Sequence, residues 1–78
     1  MQLTLYHFQG CPYCARVRDF LDKEKISVPM KDIHSAPAFR DELIKIGGKA
    51  QVPCLVIDDK ALYESMDIIA WFKENYKS

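Results

Sequence analysis

Leu3, Leu5, Tyr6 and Phe8 put apolar side chains on both faces of residues 3–8, the pattern of a strand covered from two sides. Gln9-Gly10 breaks that run. Cys14, Val17, Phe20 and Leu21 then recur on one face of a helix through residues 15–25, while Arg16, Asp19, Asp22 and Lys23 fall elsewhere and read, with Arg18, as a solvated face. Residues 27–33 predict a short second strand, whose Pro29 suits a strand start or an edge. Ser35-Ala36-Pro37 opens another helix, with Ser35 or Ala36 as cap, and its burial candidates are Phe39, Leu43, Ile44 and Ile46. Gly47-Gly48 ends it.

Past Val52-Pro53 the apolar run Cys54-Leu55-Val56-Ile57 is a strand, and Asp58-Asp59-Lys60 turns it back into Ala61-Leu62-Tyr63 as a hairpin. Ser65 is placed to cap a last helix with Ile68, Ile69, Phe72 and Tyr76 inward and Trp71 on the flank. The predicted order is β-α-β-α-β-β-α, an α/β arrangement without repeats or a linker.

At 78 residues, 49% of them hydrophobic, this is one small domain over residues 1–78 with apolar material for a single core. Eleven Lys and Arg balance eleven Asp and Glu, so charge makes no case for nucleic acid or an anionic membrane surface as partner. No apolar run approaches membrane-spanning length. Three cysteines cannot close a disulfide framework, and Met1-Gln2-Leu3-Thr4-Leu5 lacks the basic start and apolar core of a secretory signal. A reducing cytoplasm is the expected setting.

In that setting Cys11-Pro12-Tyr13-Cys14, between a strand and a helix, reads as redox chemistry. Cys11 falls near the helix N-cap, where unpaired N–H groups and the helix dipole favour an anion. Pro12 suits the first helical position, having no N–H to leave unpaired. Cys14 lies one turn on, within reach of a disulfide formed at Cys11. These positions make Cys11 the nucleophile and Cys14 the resolving thiol. A zinc site would need four ligands, and beyond this pair only Cys54, His7 and His34 offer sulfur or imidazole, so no metal is expected. Cys54 itself reads as a packed strand residue, and the two histidines receive no role.

The succession of strand, Cys-Pro-Tyr-Cys, helix, Val-Pro, hairpin and capped helix resembles the glutaredoxins over nearly the whole chain. That resemblance implies the thioredoxin fold, a four-stranded mixed sheet with helices on both faces. It also implies a cis bond before Pro53, with the backbone of Val52 beside Cys11, where it would pair with the cysteinyl part of glutathione like an added strand. The γ-glutamyl carboxylate of glutathione would sit on Ser65 and the N–H groups that follow, and Asp67 or Glu64 would accept from its ammonium. The same three residues are also explained by capping and dipole complementarity alone. Tyr13 would flank the glutathione sulfur or stand as a surface aromatic, and Gln51, or Lys49 by charge, would reach the glycyl carboxylate.

Two departures accompany the match. Gln51-Val52-Pro53 and Glu64-Ser65 look like the N-terminal domain of glutathione S-transferases, which carry an additional helical domain that these 78 residues do not include. Phe8 stands where many glutaredoxins have a lysine three residues before the first cysteine, so the helix terminus must supply more of the stabilisation of charge on Cys11.

The expected function is that of a glutathione-dependent thiol–disulfide oxidoreductase. Its partners would be glutathione, as co-substrate, and proteins carrying disulfides or bound glutathione, with no bound cofactor. A competing enzyme reading is a small electron donor reduced by a flavoprotein reductase, for example toward ribonucleotide reductase. A non-enzyme reading is an iron–sulfur or metal-binding module, against which the stiff Pro12 turn counts. A monomer is expected, with Trp71 the side chain that would make a second surface if it lay exposed.

Overall fold

The structure, a computed structural model, describes residues 2–76. Its elements are β1 (Leu3–His7), α1 (Pro12–Lys23), β2 (Met30–Asp32), α2 (Pro37–Gly47), β3 (Cys54–Ile57), β4 (Lys60–Tyr63) and α3 (Ser65–Asn75). The strands form one sheet in the order β2-β1-β3-β4. β1 runs parallel to β2 and antiparallel to β3, with Leu5 opposite both Met30 and Leu55. β3 and β4 close the hairpin from Cys54–Tyr63 to Ile57–Lys60. This is the thioredoxin fold, with the expected element order.

The period-2 alternation of the two central strands divides the apolar residues between the faces. Leu3, Leu5 and Leu55 point to one side and pack with Val17 and Leu21 of α1 and Ile68, Ile69 and Phe72 of α3. Tyr6, Cys54 and Val56 point to the other, against Leu43 of α2. Burying each large aliphatic or aromatic side chain in these layers stabilises the fold by about 1.5–3 kcal/mol. Two helices thus cover one face and a single helix the other.

That imbalance corrects part of the expected core. α2 buries only Leu43 completely, with Phe39 half-buried, while Ile44 and Ile46 are exposed at 36% and 39%. A lone helix offers the sheet one narrow stripe, and no neighbouring helix stands beside it to cover its flanks. Tyr76, expected inward, lies past the end of α3 and is exposed, whereas Trp71 packs half-buried on the core and meets Phe72 edge-on at 5.2 Å.

Boundaries follow local chemistry. α1 begins at Pro12, the expected first helical position, because Cys11 has the extended backbone of an N-cap and Pro12 a φ already helical. It ends with Lys25 at φ 56° and the Ile26 N–H donating to the Leu21 carbonyl, a left-handed cap made without glycine. α2 starts after Ala36, the second of the two caps considered, and stops at Gly48 with φ 89°. β2 is shorter than expected, since Pro29 has no N–H for a ladder, although its carbonyl still accepts from Leu5. The cap of α3 is Glu64, at φ 72°, and the expected cap Ser65 is instead the first helical residue. Among the described residues no helix is long and apolar enough to cross a membrane.

Candidate active site

The end of β1 delivers the chain through Phe8-Gln9-Gly10 to Cys11, whose N–H donates to the Phe8 carbonyl at 3.2 Å. As N-cap, Cys11 then uses its sulfur in the manner of a capping oxygen: the Cys14 N–H donates to Cys11 Sγ at 3.4 Å. Both thiols are free, and both are buried, Cys11 at 7% exposure and Cys14 completely. Burial pushes the Cys14 thiol up to about 12, and its hydrogen bond with Cys11 adds to the rise; a backbone bond from Phe8 and the charge of Arg18 oppose it. The pair is therefore asymmetric, with the inner sulfur held as a thiol.

Against the start of α1 lies a cleft of about 510 Å³ lined by Tyr13, Arg16, Gln51, Val52, Pro53, Glu64, Ser65 and Met66. The Val52–Pro53 bond is cis. Gln51 Nε2 donates to Glu64 Oε1 at 3.2 Å, which links the loop before β3 to the cap of α3. No side chain caps α3, so its first N–H groups open at the cleft end where Ser65 is buried. Of the residues singled out in the sequence, Tyr13, Gln51, Val52, Pro53, Glu64 and Ser65 thus share one cavity. Cys11 and Cys14 sit at the start of the helix that carries Tyr13, outside the lining. Asp67 is exposed in the first turn of α3 and does not line the cleft.

Two side chains that the sequence does not single out, Arg16 and Met66, also line the cleft. Arg16, read as part of a solvated face, lies with its guanidinium 5.9 Å from the Tyr13 ring centre and its Nη1 3.9 Å from Met66 Sδ. The signal was its spacing: three residues after Tyr13, it must share that residue's side of the helix.

Arg18, expected on the same solvated face, is half-buried and hydrogen-bonded. Its Nη1 lies 3.0 Å from His7 Nδ1 and 3.4 Å from the Phe8 carbonyl, and its Nη2 3.5 Å from the Gln9 carbonyl. Guanidinium can only donate, so His7 accepts at Nδ1 and is neutral. Burial and the facing Arg18 lower its pKa, against an opposing pull from Asp32. His34 stacks on Phe8 with ring centres 4.3 Å apart. Cys54, in β3, is fully buried on the α2 face of the sheet, its thiol pushed up to about 11 by that burial, and it does not line the cleft. Among the described residues no three His, Cys, Asp or Glu side chains gather as metal ligands.

Known proteins resemble this chain at two lengths. The profile of the glutathione S-transferase N-terminal domain matches residues 5–78. Glutaredoxin 1 of Salmonella typhimurium is 33% identical over 96% of this chain and 94% of its own. Prostaglandin E synthase 2 of Mus musculus is 41% identical over 76% of this chain, which spans only 15% of that protein. Among solved structures, glutathione transferase Omega 3C from Trametes versicolor superposes with a TM-score of 0.82 and 27% identity, over 97% of this chain and 34% of the transferase.

Proposed function

Because the chain belongs to the family of glutathione S-transferase N-terminal domains and glutaredoxins, we propose that it is a glutathione-dependent thiol–disulfide oxidoreductase acting through Cys11 and Cys14. The observation that carries this reading is the asymmetric pair: Cys11 Sγ caps a helix and accepts from the Cys14 N–H, beside a cleft with an uncapped helix N-terminus at its far wall.

In the proposed reaction the thiolate of Cys11 attacks the glutathione sulfur of a mixed disulfide. A bond forms between Cys11 Sγ and that sulfur, the substrate's sulfur–sulfur bond breaks, and the substrate leaves as a thiolate that takes a proton from water. A second glutathione thiolate then attacks the glutathione sulfur on Cys11, releasing oxidised glutathione and returning the Cys11 thiolate. For a protein disulfide, Cys14 attacks Cys11 Sγ instead and expels the substrate thiolate, leaving a Cys11–Cys14 disulfide for glutathione to reduce.

Glutathione itself fits the cleft by chemistry. Its γ-glutamyl carboxylate suits the open N–H groups at Ser65 and Met66, and its ammonium suits Glu64, already fixed by Gln51. The backbone of Val52 would pair with the cysteinyl residue, Tyr13 would cover its sulfur, and Gln51 or Arg16 would meet the glycyl carboxylate. Asp67, being outside the lining, would act only through its charge at the start of α3.

The test is NADPH-coupled reduction of a glutathione mixed disulfide, with glutathione reductase, for the wild type, Cys11→Ser and Cys14→Ser. Activity lost in Cys11→Ser and retained in Cys14→Ser is expected. An inactive wild type, or an active Cys11→Ser, would overturn the proposal.

A further inference from the structure

The mechanism above leaves one problem at Cys14. It must lose its proton to attack, yet it is fully buried in a position that favours the thiol. The nearest structural answer is the side chain one helical turn beyond it.

Arg18 follows Cys14 by four residues on α1, so the two share a face. Its planar fork reaches back across the turn to the last residues before Cys11: the carbonyls of Phe8 and Gln9, and the Nδ1 of His7. The Phe8 carbonyl also accepts the Cys11 N–H. One guanidinium therefore braces the backbone that carries the attacked sulfur and sits one helical turn along α1 from the attacking one. We propose that Arg18 is a positioning residue for the resolving step, fixing the β1–α1 turn and favouring negative charge on Cys14 as it attacks Cys11. This rests on the roles given to the two cysteines above.

In that step Cys14 gives its proton to water, and its thiolate attacks Cys11 Sγ. The Cys14–Cys11 bond forms, the bond from Cys11 to the substrate sulfur breaks, and that sulfur departs with the electron pair. In this step Cys14 is oxidised and the departing substrate sulfur is reduced, while Cys11 stays at the disulfide level it reached in the first attack. The direction of Arg18's effect on Cys14, opposing its burial, agrees with this role. The groups facing Arg18 are neutral His7 and two carbonyls, so no carboxylate among its bonded partners cancels its charge.

The experiment uses a symmetrical aromatic disulfide whose leaving thiolate is coloured. Attack by Cys11 releases one coloured thiolate and closure by Cys14 releases a second, so the two steps appear as two phases in stopped flow. With Arg18→Gln the second phase should slow about tenfold near neutral pH, because less of Cys14 is then present as the attacking thiolate. Arg18→Lys, which keeps the charge but not the fork, should recover most of that loss, and the rate in Arg18→Gln should rise toward the wild type as pH increases. An unchanged second phase in Arg18→Gln would overturn the proposal. So would Arg18→Lys closing as slowly as Arg18→Gln with an equal loss of thermal stability, the mark of a purely structural residue. The coloured disulfide needs no glutathione site: a wild type that closes its disulfide but fails the glutathione assay would sink the proposed substrate and leave the role of Arg18 standing.

Discussion

Gly47→Ala sets two well-known effects against each other at the end of α2. In an exposed helix alanine exceeds glycine by about 0.5–1 kcal/mol, so helix propensity alone predicts a stabilised protein. Here the added Cβ would collide with the Tyr63 hydroxyl, and would stand 2.9 Å from Tyr63 Cζ and 3.0 Å from Ala61 Cβ. Tyr63 cannot simply swing aside, since its hydroxyl donates to the Lys49 carbonyl at 3.0 Å and its backbone is held in β4. Overpacking of this kind costs about 1–3 kcal/mol, and a displaced hydrogen bond about 1 kcal/mol more. The clash outweighs propensity, and the expected net loss is about 1–3 kcal/mol, or a Tm lower by about 4–8 °C for each kcal/mol in a domain of this size.

Urea titration of four proteins checks the cause: wild type, Gly47→Ala, Tyr63→Phe and the double variant. Tyr63→Phe deletes the atom in closest conflict, so it should cost about 1 kcal/mol alone but far less, or nothing, in the Gly47→Ala background. The coupling should exceed about 0.5 kcal/mol. A Gly47→Ala protein as stable as the parent, or strictly additive effects, would refute the reasoning. Gly48 supplies the contrast: nothing lies within 4 Å of a Cβ there, but its φ of 89° is left-handed, so Gly48→Ala should destabilise without any coupling to Tyr63.

Two further outcomes follow from burial of titrating groups. Cys54, fully buried with its thiol raised to about 11, should resist iodoacetamide in the native protein while Cys11 is alkylated, and should react only in denaturant; native labelling of Cys54 at a rate like that of Cys11, read by mass spectrometry, would contradict its placement. His7 has a folded pKa below the ordinary imidazole value of about 6.5, so the unfolded chain binds the proton more readily. Full stability is then present above that value and declines as pH falls through it toward the folded pKa. Thermal melts at about pH 7.5 and about pH 5.5 should show this loss in the wild type and less of it in His7→Gln, which keeps an acceptor for Arg18; equal slopes would exclude His7 as the source.

What the chain makes legible by itself is whatever local chemistry decides. Pro12 after Cys11 marks a helix start, Gly47-Gly48 a helix stop, and the run from Cys54 to Ile57 a buried strand, because each signal lies within a few residues of its effect. Ile44 and Ile46 depart from expectation for the opposite reason. Their periodicity is that of a buried face, but how much of a helix is covered depends on how many neighbours stand around it. The cap of α3 moved from Ser65 to Glu64 because the chain leaves β4 through a positive φ, a choice made by the hairpin rather than by the preferred capping residues. Arg18 was invisible as a clamp since its partners, His7 and two carbonyls, are brought to it by packing β1 against α1. The cleft was legible as separate pieces, with Gln51-Val52-Pro53 and Glu64-Ser65 each marked; their junction through the Gln51–Glu64 hydrogen bond was not.

The ladder between β1 and β3 joins Leu3 to Ile57 and Tyr6 to Cys54, segments about 50 residues apart in the chain. During synthesis the first central strand leaves the ribosome with its antiparallel neighbour still unmade, so the turn bearing Cys11 and Cys14 has no finished floor until most of the chain has emerged. Throughout that interval three thiols share one unfolded chain and any two of them can be oxidised together. Zipping β3 onto β1 ends the ambiguity by sealing Cys54 under α2, and leaves a single pair competent for exchange.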